Sequence, residues 1–196
     1  MSSTARPLWP VADHGETVRI NSFALVTYIP SPLGEFLDGL RKELVPSCSL
    51  RSHVSILPPR PLIHPEREAH DQIERECRHT PRFRIEVGGI RAFPVTNVIY
   101  IEVATGQREL RQMHDSLNSD ALEYKEPYFY HPHITVAQQL PADLIGEYNE
   151  LAIRRWAEYR HERGFGVEAI TFVQNTNENR WVDLSEMRLE PRTHTR

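Results

Sequence analysis

Ser52-His53-Val54-Ser55-Ile56-Leu57 and Pro132-His133-Ile134-Thr135-Val136-Ala137 are two versions of one pattern: histidine, apolar residue, hydroxyl, apolar residue. In a strand, side chains two apart share a face. His53 and Ser55 therefore point one way, and Val54 and Ile56 the other. His133 and Thr135 separate from Ile134 and Val136 in the same manner. The apolar pair belongs in a core, and the polar pair faces a cleft or solvent. Each stretch reads as a strand with one buried face.

With 10 histidines and 22 serines and threonines in 196 residues, about one His-x-Ser/Thr match arises by chance. Requiring apolar residues on both sides of the hydroxyl lowers that to roughly 0.2 per chain. Two such matches, 80 residues apart, stand above it. A third match, His114-Asp115-Ser116, lies in a helical stretch and has Asp at its centre. It is expected to be incidental, so replacing His114 should change little.

Outward from the two motifs, residues 19–29 read as a strand and 33–45 as an amphipathic helix with Leu33, Phe36, Leu37, Leu40 and Leu44 on one face. The first motif strand spans 49–57, and a charged helix follows over 65–79. Residues 82–93 and 98–104 read as strands joined by a turn. A helix is expected over 107–118, the second motif strand over 131–137, and a helix over 141–161 carrying Trp156 in its apolar stripe. Strands over 165–174 and 181–189 close the chain. Strand, helix, strand, helix thus occurs over 19–79 and again over 98–161. That order fits a duplicated α+β unit, and equally the ordinary alternation of strands and helices.

The chain is 39% hydrophobic and 26% charged, enough for a core without disulfides or metal. Its longest apolar runs are strand-length, so no membrane span is expected. Residues 1–17 read as a flexible arm, 18–190 as a single bilobal domain and 191–196 as a tail. Cys48 and Cys77 make no disulfide framework, and with no apolar signal core the protein is expected in the cytoplasm. The net charge of −4 excludes a general coater of nucleic acid. Of the 23 basic residues only Lys42 and Lys125 are lysine. The other cations are arginines, suited to phosphate but also typical of a GC-rich coding sequence.

The stretches His53-Val54-Ser55-Ile56-Leu57-Pro58-Pro59-Arg60 and Tyr130-His131-Pro132-His133-Ile134-Thr135-Val136-Ala137 resemble the two-histidine phosphoesterase superfamily, which contains the 2′-5′ RNA ligase-like proteins and RNA 2′,3′-cyclic phosphodiesterases. Ser55 stands where Thr is commoner in that family; both hydroxyls donate equally well. The resemblance implies an α+β fold of two pseudo-symmetric lobes, each an antiparallel sheet with outer helices, with an active-site groove between them. His53, Ser55, His133 and Thr135 would meet in that groove.

In-line attack at phosphorus needs a base on the entering oxygen and an acid on the leaving oxygen. Histidine holds either role near neutral pH, and the two hydroxyls can bond the non-bridging oxygens. The expected function is metal-independent hydrolysis of RNA or nucleoside 2′,3′-cyclic phosphates, with reversible 2′-5′ ligation as a companion. No cofactor and no metal is expected; His131 simply shares a face with His133. The expected partners are RNA ends or small cyclic or 2′-linked nucleotides, and the protein is expected to be a monomer. Two other readings stay open: hydrolysis of 2′-5′ oligoadenylate, ADP-ribose cyclic phosphate or a cyclic oligonucleotide signal, and a non-catalytic nucleotide-binding module. Arg60 is a candidate phosphate ligand or else an exposed loop residue. Tyr128 and Tyr130 are candidate base-stacking residues, with core packing the alternative. His64, His70, His79 and His161 are expected on the surface.

Overall fold

The computed structural model describes residues 16–191, so most of the expected N-terminal arm and residues 192–196 of the tail lie outside the described residues. Eight strands form two antiparallel four-stranded sheets. The first sheet has the order β2 (His53–Arg60), β1 (Arg19–Tyr28), β7 (Ala169–Thr176), β8 (Trp181–Arg188). The second has the order β5 (His133–Ala137), β4 (Ile99–Thr105), β3 (Phe83–Ala92), β6 (Gly164–Val167). Four helices are described with them: α1 (Leu33–Leu44), α2 (Glu66–Cys77), α3 (Gln107–Leu117) and α4 (Ile145–Glu158).

The duplication is visible in this order. In each sheet the outer strand begins with a motif histidine, and its neighbour is the strand that precedes it in the chain across one helix. β1, α1, β2, α2 correspond to β4, α3, β5, α4. The remaining strands are exchanged: β3 leaves the first half of the chain to join the second sheet, and β7 and β8 return to the first.

The helices form where the spacing predicts. Leu33, Leu37, Leu40 and Leu44 bury one face of α1, and Trp156 is buried in α4. α4 is shorter than the expected 141–161. The expected strand over 165–174 is two strands, β6 and β7, in different sheets. The apolar run is nearly continuous across the switch, and pairing rather than composition divides it. Gly106, at φ 87°, lets the chain turn from β4 into α3, where a Cβ would lie 2.8 Å from the Arg84 carbonyl oxygen. No helix of the described residues is long and apolar enough to cross a membrane.

β2 and β5 are the outer strands of their sheets, and they lie against each other. Val54, Ile56, Ile134 and Val136 are buried in one shared core, while His53, Ser55, His133 and Thr135 are half-buried on the opposite face. The alternation read from the sequence thus brings both motifs to the junction of the lobes.

Candidate active site

Each motif histidine opens its strand and is held in the same way. His53 Nδ1 lies 2.7 Å from the Arg51 carbonyl oxygen, and His133 Nδ1 lies 2.6 Å from the His131 carbonyl oxygen. A carbonyl only accepts, so Nδ1 carries the proton in both rings. Nε2 is left for proton transfer, and among the described residues it has no hydrogen-bond partner in either ring.

Both imidazoles favour the neutral form. Burial pushes His53 down to about 4; the charges of Arg41 and His133 push the same way, against the Arg51 carbonyl and Asp38. Burial also lowers His133, helped by the neighbouring His131 and opposed by the His131 carbonyl. The charge of His133 also reaches His53, so a proton on His133 disfavours one on His53.

The walls around the pair differ. On the first sheet, Tyr28 pairs in register with His53 and meets it edge-on at 6.4 Å. The Arg51 guanidinium lies 3.8 Å over the Tyr28 ring, and the Tyr28 hydroxyl donates to Asp183 at 2.5 Å. Tyr28 and the half-buried Trp181 cover a small apolar patch of Ala24, Val26 and Val173. On the second sheet, Phe93 and Tyr100 stack 4.0 Å apart. His133 stands edge-on to both at 5.1 and 5.5 Å, and His131 joins them at 5.4 and 5.7 Å. His131 therefore does share the face of His133.

The structure corrects the weaker candidates. Arg60 is not an exposed loop residue, and its guanidinium is engaged by protein groups rather than presented to a phosphate. It ends β2, is 2% exposed and ion-pairs with Glu126. Its remaining N–H groups donate to Asn118 at 2.7 Å and to the carbonyls of Leu122 and Pro58 at 3.0 and 3.1 Å. Tyr130 is packed rather than presented to a base: its ring stacks on His114 at 4.0 Å, and its hydroxyl donates to the Ser55 carbonyl at 2.8 Å. Tyr128 is exposed, as is the whole of Phe129 beside it.

Arg41, His114 and Glu126 matter more than the sequence reading allows: two of them it does not name, and His114 it takes as incidental. Arg41, on α1, is buried and donates from Nη1 to the Thr135 carbonyl at 2.9 Å. His114 is buried on α3, with Nε2 3.1 Å from Glu126 and Nδ1 2.9 Å from Asp115. Glu126 receives both Arg60 and His114. The spacing held a signal for the first two: Arg41 falls in the Leu37, Leu40, Leu44 stripe, and His114 in the Leu110, Met113, Leu117 stripe.

His70, Asp71 and Glu74 on α2 place metal-binding atoms within 4.8 Å of one another. Arg67 lies 3.7 Å from Asp71 and Arg78 2.6 Å from Glu74, so arginines already neutralise both carboxylates. Cys48 and Cys77 are free thiols.

Comparison with known proteins bears on this arrangement. A family model described as the 2′-5′ RNA ligase superfamily matches residues 29–179. A protein of a Geobacillus species, named as a phosphoesterase, is 33% identical over 138 residues, spanning 64% of this chain and 76% of its own. One from Bacillus pumilus, also named as a phosphoesterase, is 27% identical over 165 residues, 77% of this chain and 96% of its own. Escherichia coli LigT in its apo form superposes with a TM-score of 0.61 at 16% identity, covering 88% of this chain and 99% of LigT. LigT has also been solved with phosphate, with 3′-AMP, with ATP and with NADP+.

Proposed function

The chain belongs to the 2′-5′ RNA ligase superfamily, and on that premise we propose that it is a metal-independent phosphodiesterase that opens RNA or nucleoside 2′,3′-cyclic phosphates with His53 and His133 as its acid–base pair. The observation that carries this reading is the matched docking of the two imidazoles. Each is anchored through Nδ1 on the carbonyl two residues upstream, and each keeps Nε2 for the reaction.

The phosphate sits between the two Nε2 atoms. The neutral histidine takes a proton from water as the water oxygen bonds to phosphorus. The protonated histidine gives its proton to the departing ribose oxygen as that P–O bond breaks. Ser55 and Thr135, on the same faces as the histidines, donate to the non-bridging oxygens. The backbone anchors fix the tautomer and ring orientation, as an orienting carboxylate does in other histidine sites. Near-symmetry leaves base and acid interchangeable; the orientation of the nucleoside decides which ribose oxygen leaves. By microscopic reversibility the same groups can join a 2′-5′ linkage. The nucleotide complexes of LigT support nucleotides as the substrate class.

A screen of cyclic and 2′-linked nucleotides with product analysis tests the proposal. Opening of nucleoside 2′,3′-cyclic phosphates to a single monophosphate is the expected result. Turnover confined to 2′-5′ oligonucleotides, ADP-ribose cyclic phosphate or cyclic oligonucleotides would move the substrate, and binding without turnover would make the chain a binding module.

A further inference from the structure

We infer that Tyr130 and Arg41 are positioning residues that form a reciprocal clasp, each reaching from one half of the chain to hold the other half's motif strand by the backbone of its hydroxyl residue. Tyr130 lies in the segment leading into β5 of the second sheet, and its hydroxyl donates to the carbonyl of Ser55 in the first, at 2.8 Å. Arg41 lies on α1, between β1 and β2 of the first half, and its Nη1 donates to the carbonyl of Thr135 in the second sheet, at 2.9 Å. Ser55 and Thr135 occupy the same place in the two motifs. β2 and β5 are also the outermost strands of their sheets, where alternate carbonyls lack a ladder partner. The clasp satisfies one such carbonyl on each side.

The Tyr130 donor is held from behind. The Tyr130 ring lies flat on His114, and its own carbonyl accepts from Arg111 Nη1 at 2.9 Å. The Arg60–Glu126 ion pair ties the same segment to the end of β2. Arg41 is 3% exposed on the leucine face of α1; its Nη2 reaches only the Cys48 sulfur at 3.5 Å, and its Nε is buried without a partner. An incompletely paired, buried guanidinium is a poor way to fill an apolar face. What it supplies there is the bond to Thr135. Each carbonyl belongs to the residue whose hydroxyl would meet the phosphate, so moving the peptide moves the hydroxyl. Small misplacements of groups around a reacting centre cost large factors in rate.

This inference rests on the reading of the two motifs as one phosphodiesterase site. Its test compares wild type, Tyr130→Phe, Arg41→Lys and the double variant. Tyr130→Phe keeps the ring on His114 and removes only the donor; Arg41→Lys keeps the charge. The substrates are uridine 2′,3′-cyclic phosphate and the two diastereomers of its phosphorothioate, and the His53 and His133 imidazoles are titrated by NMR in the same proteins. Each single variant is expected to lower kcat about tenfold, to leave KM within about twofold, and to narrow the preference between diastereomers. Wild-type kcat and diastereomer preference in either variant overturns the clasp. If wild type opens no cyclic phosphate, the functional reading fails instead, and the titrations decide the clasp alone. A loosened clasp shifts both curves in Tyr130→Phe, and unchanged curves overturn it.

Discussion

A histidine whose Nδ1 is docked on a carbonyl has one nitrogen left, and at His53 and His133 the environment disfavours a proton on it. In the free protein both titrate below the ordinary 6.5, His53 at about 4. The base must be neutral, a condition lost as pH falls through its pKa. The acid must be protonated, a condition lost as pH rises through its own. The plot of kcat/KM against pH should therefore be a bell with its maximum on the acid side of 6.5. A bound phosphate favours imidazolium, so the kcat profile should lie at higher pH than the kcat/KM profile. Steady-state rates across pH 4–8 check this, and a kcat/KM maximum near pH 8 would contradict it. The motif residues were legible because a two-residue alternation states which way a side chain points. Neither expectation for Arg60 foresaw its burial, and stacking and packing both stayed open for Tyr130, because a partner distant in sequence, Glu126 for one and Ser55 for the other, decides whether a polar side chain is buried. Glu126→Ala should strand the Arg60 guanidinium and lower stability by about 3 kcal/mol or more in urea denaturation. A loss within experimental error would mean that Arg60 finds water instead.

Within the motif strands the two faces should respond to substitution in opposite ways. Ile56 and Ile134 are fully buried, and trimming either to Ala should cost about 2–5 kcal/mol of stability. Ser55→Ala and Thr135→Ala should leave stability nearly unchanged and lower turnover by about 10². Denaturation midpoints and kcat measured on the four variants check the division. A comparable loss of turnover from all four would remove the distinction. Helices were legible through their apolar stripes, and the same stripes hid two polar residues. Arg41 and His114 each sit where a leucine is expected, and a stripe drawn from apolar residues alone passes over them. The third His-x-Ser match, read as incidental, is not a second site on a strand: His114 stacks behind Tyr130, and Ser116 bonds Glu76. His114→Ala should therefore lower stability, while reducing turnover far less than His133→Ala. The switch from β6 to β7 had no local mark, because both strands are apolar and only their partners differ.

At the scale of the molecule, the duplicated unit carries the two histidines to equivalent outer strands, and the exchanged strands bind the halves into one body. Order alone left that duplication undecided, since alternating strands and helices are common; the register of the two sheets settles it. The cost of burying imidazoles is then borne by the whole fold. Below pH 6.5 the unfolded chain binds a proton at His53 that the folded chain refuses until about pH 4. Stability should therefore fall as pH drops through that window, and His53→Gln should flatten part of the fall. Thermal midpoints of the two proteins from pH 7 to 4 check this; parallel curves would refute it. Dialysis against a chelator should leave the rate unchanged, and recovery only on adding a divalent cation would contradict the two-histidine mechanism.

Phosphorus NMR of a nucleoside 2′,3′-cyclic phosphate incubated with wild type, His53→Ala and His133→Ala tests the two-histidine mechanism directly. Wild type is expected to open the ring to a single regioisomer, the 2′-phosphate, with turnover reduced by about 10² or more in each folded variant. An even mixture of 2′- and 3′-phosphates, or variants as fast as wild type, would contradict it.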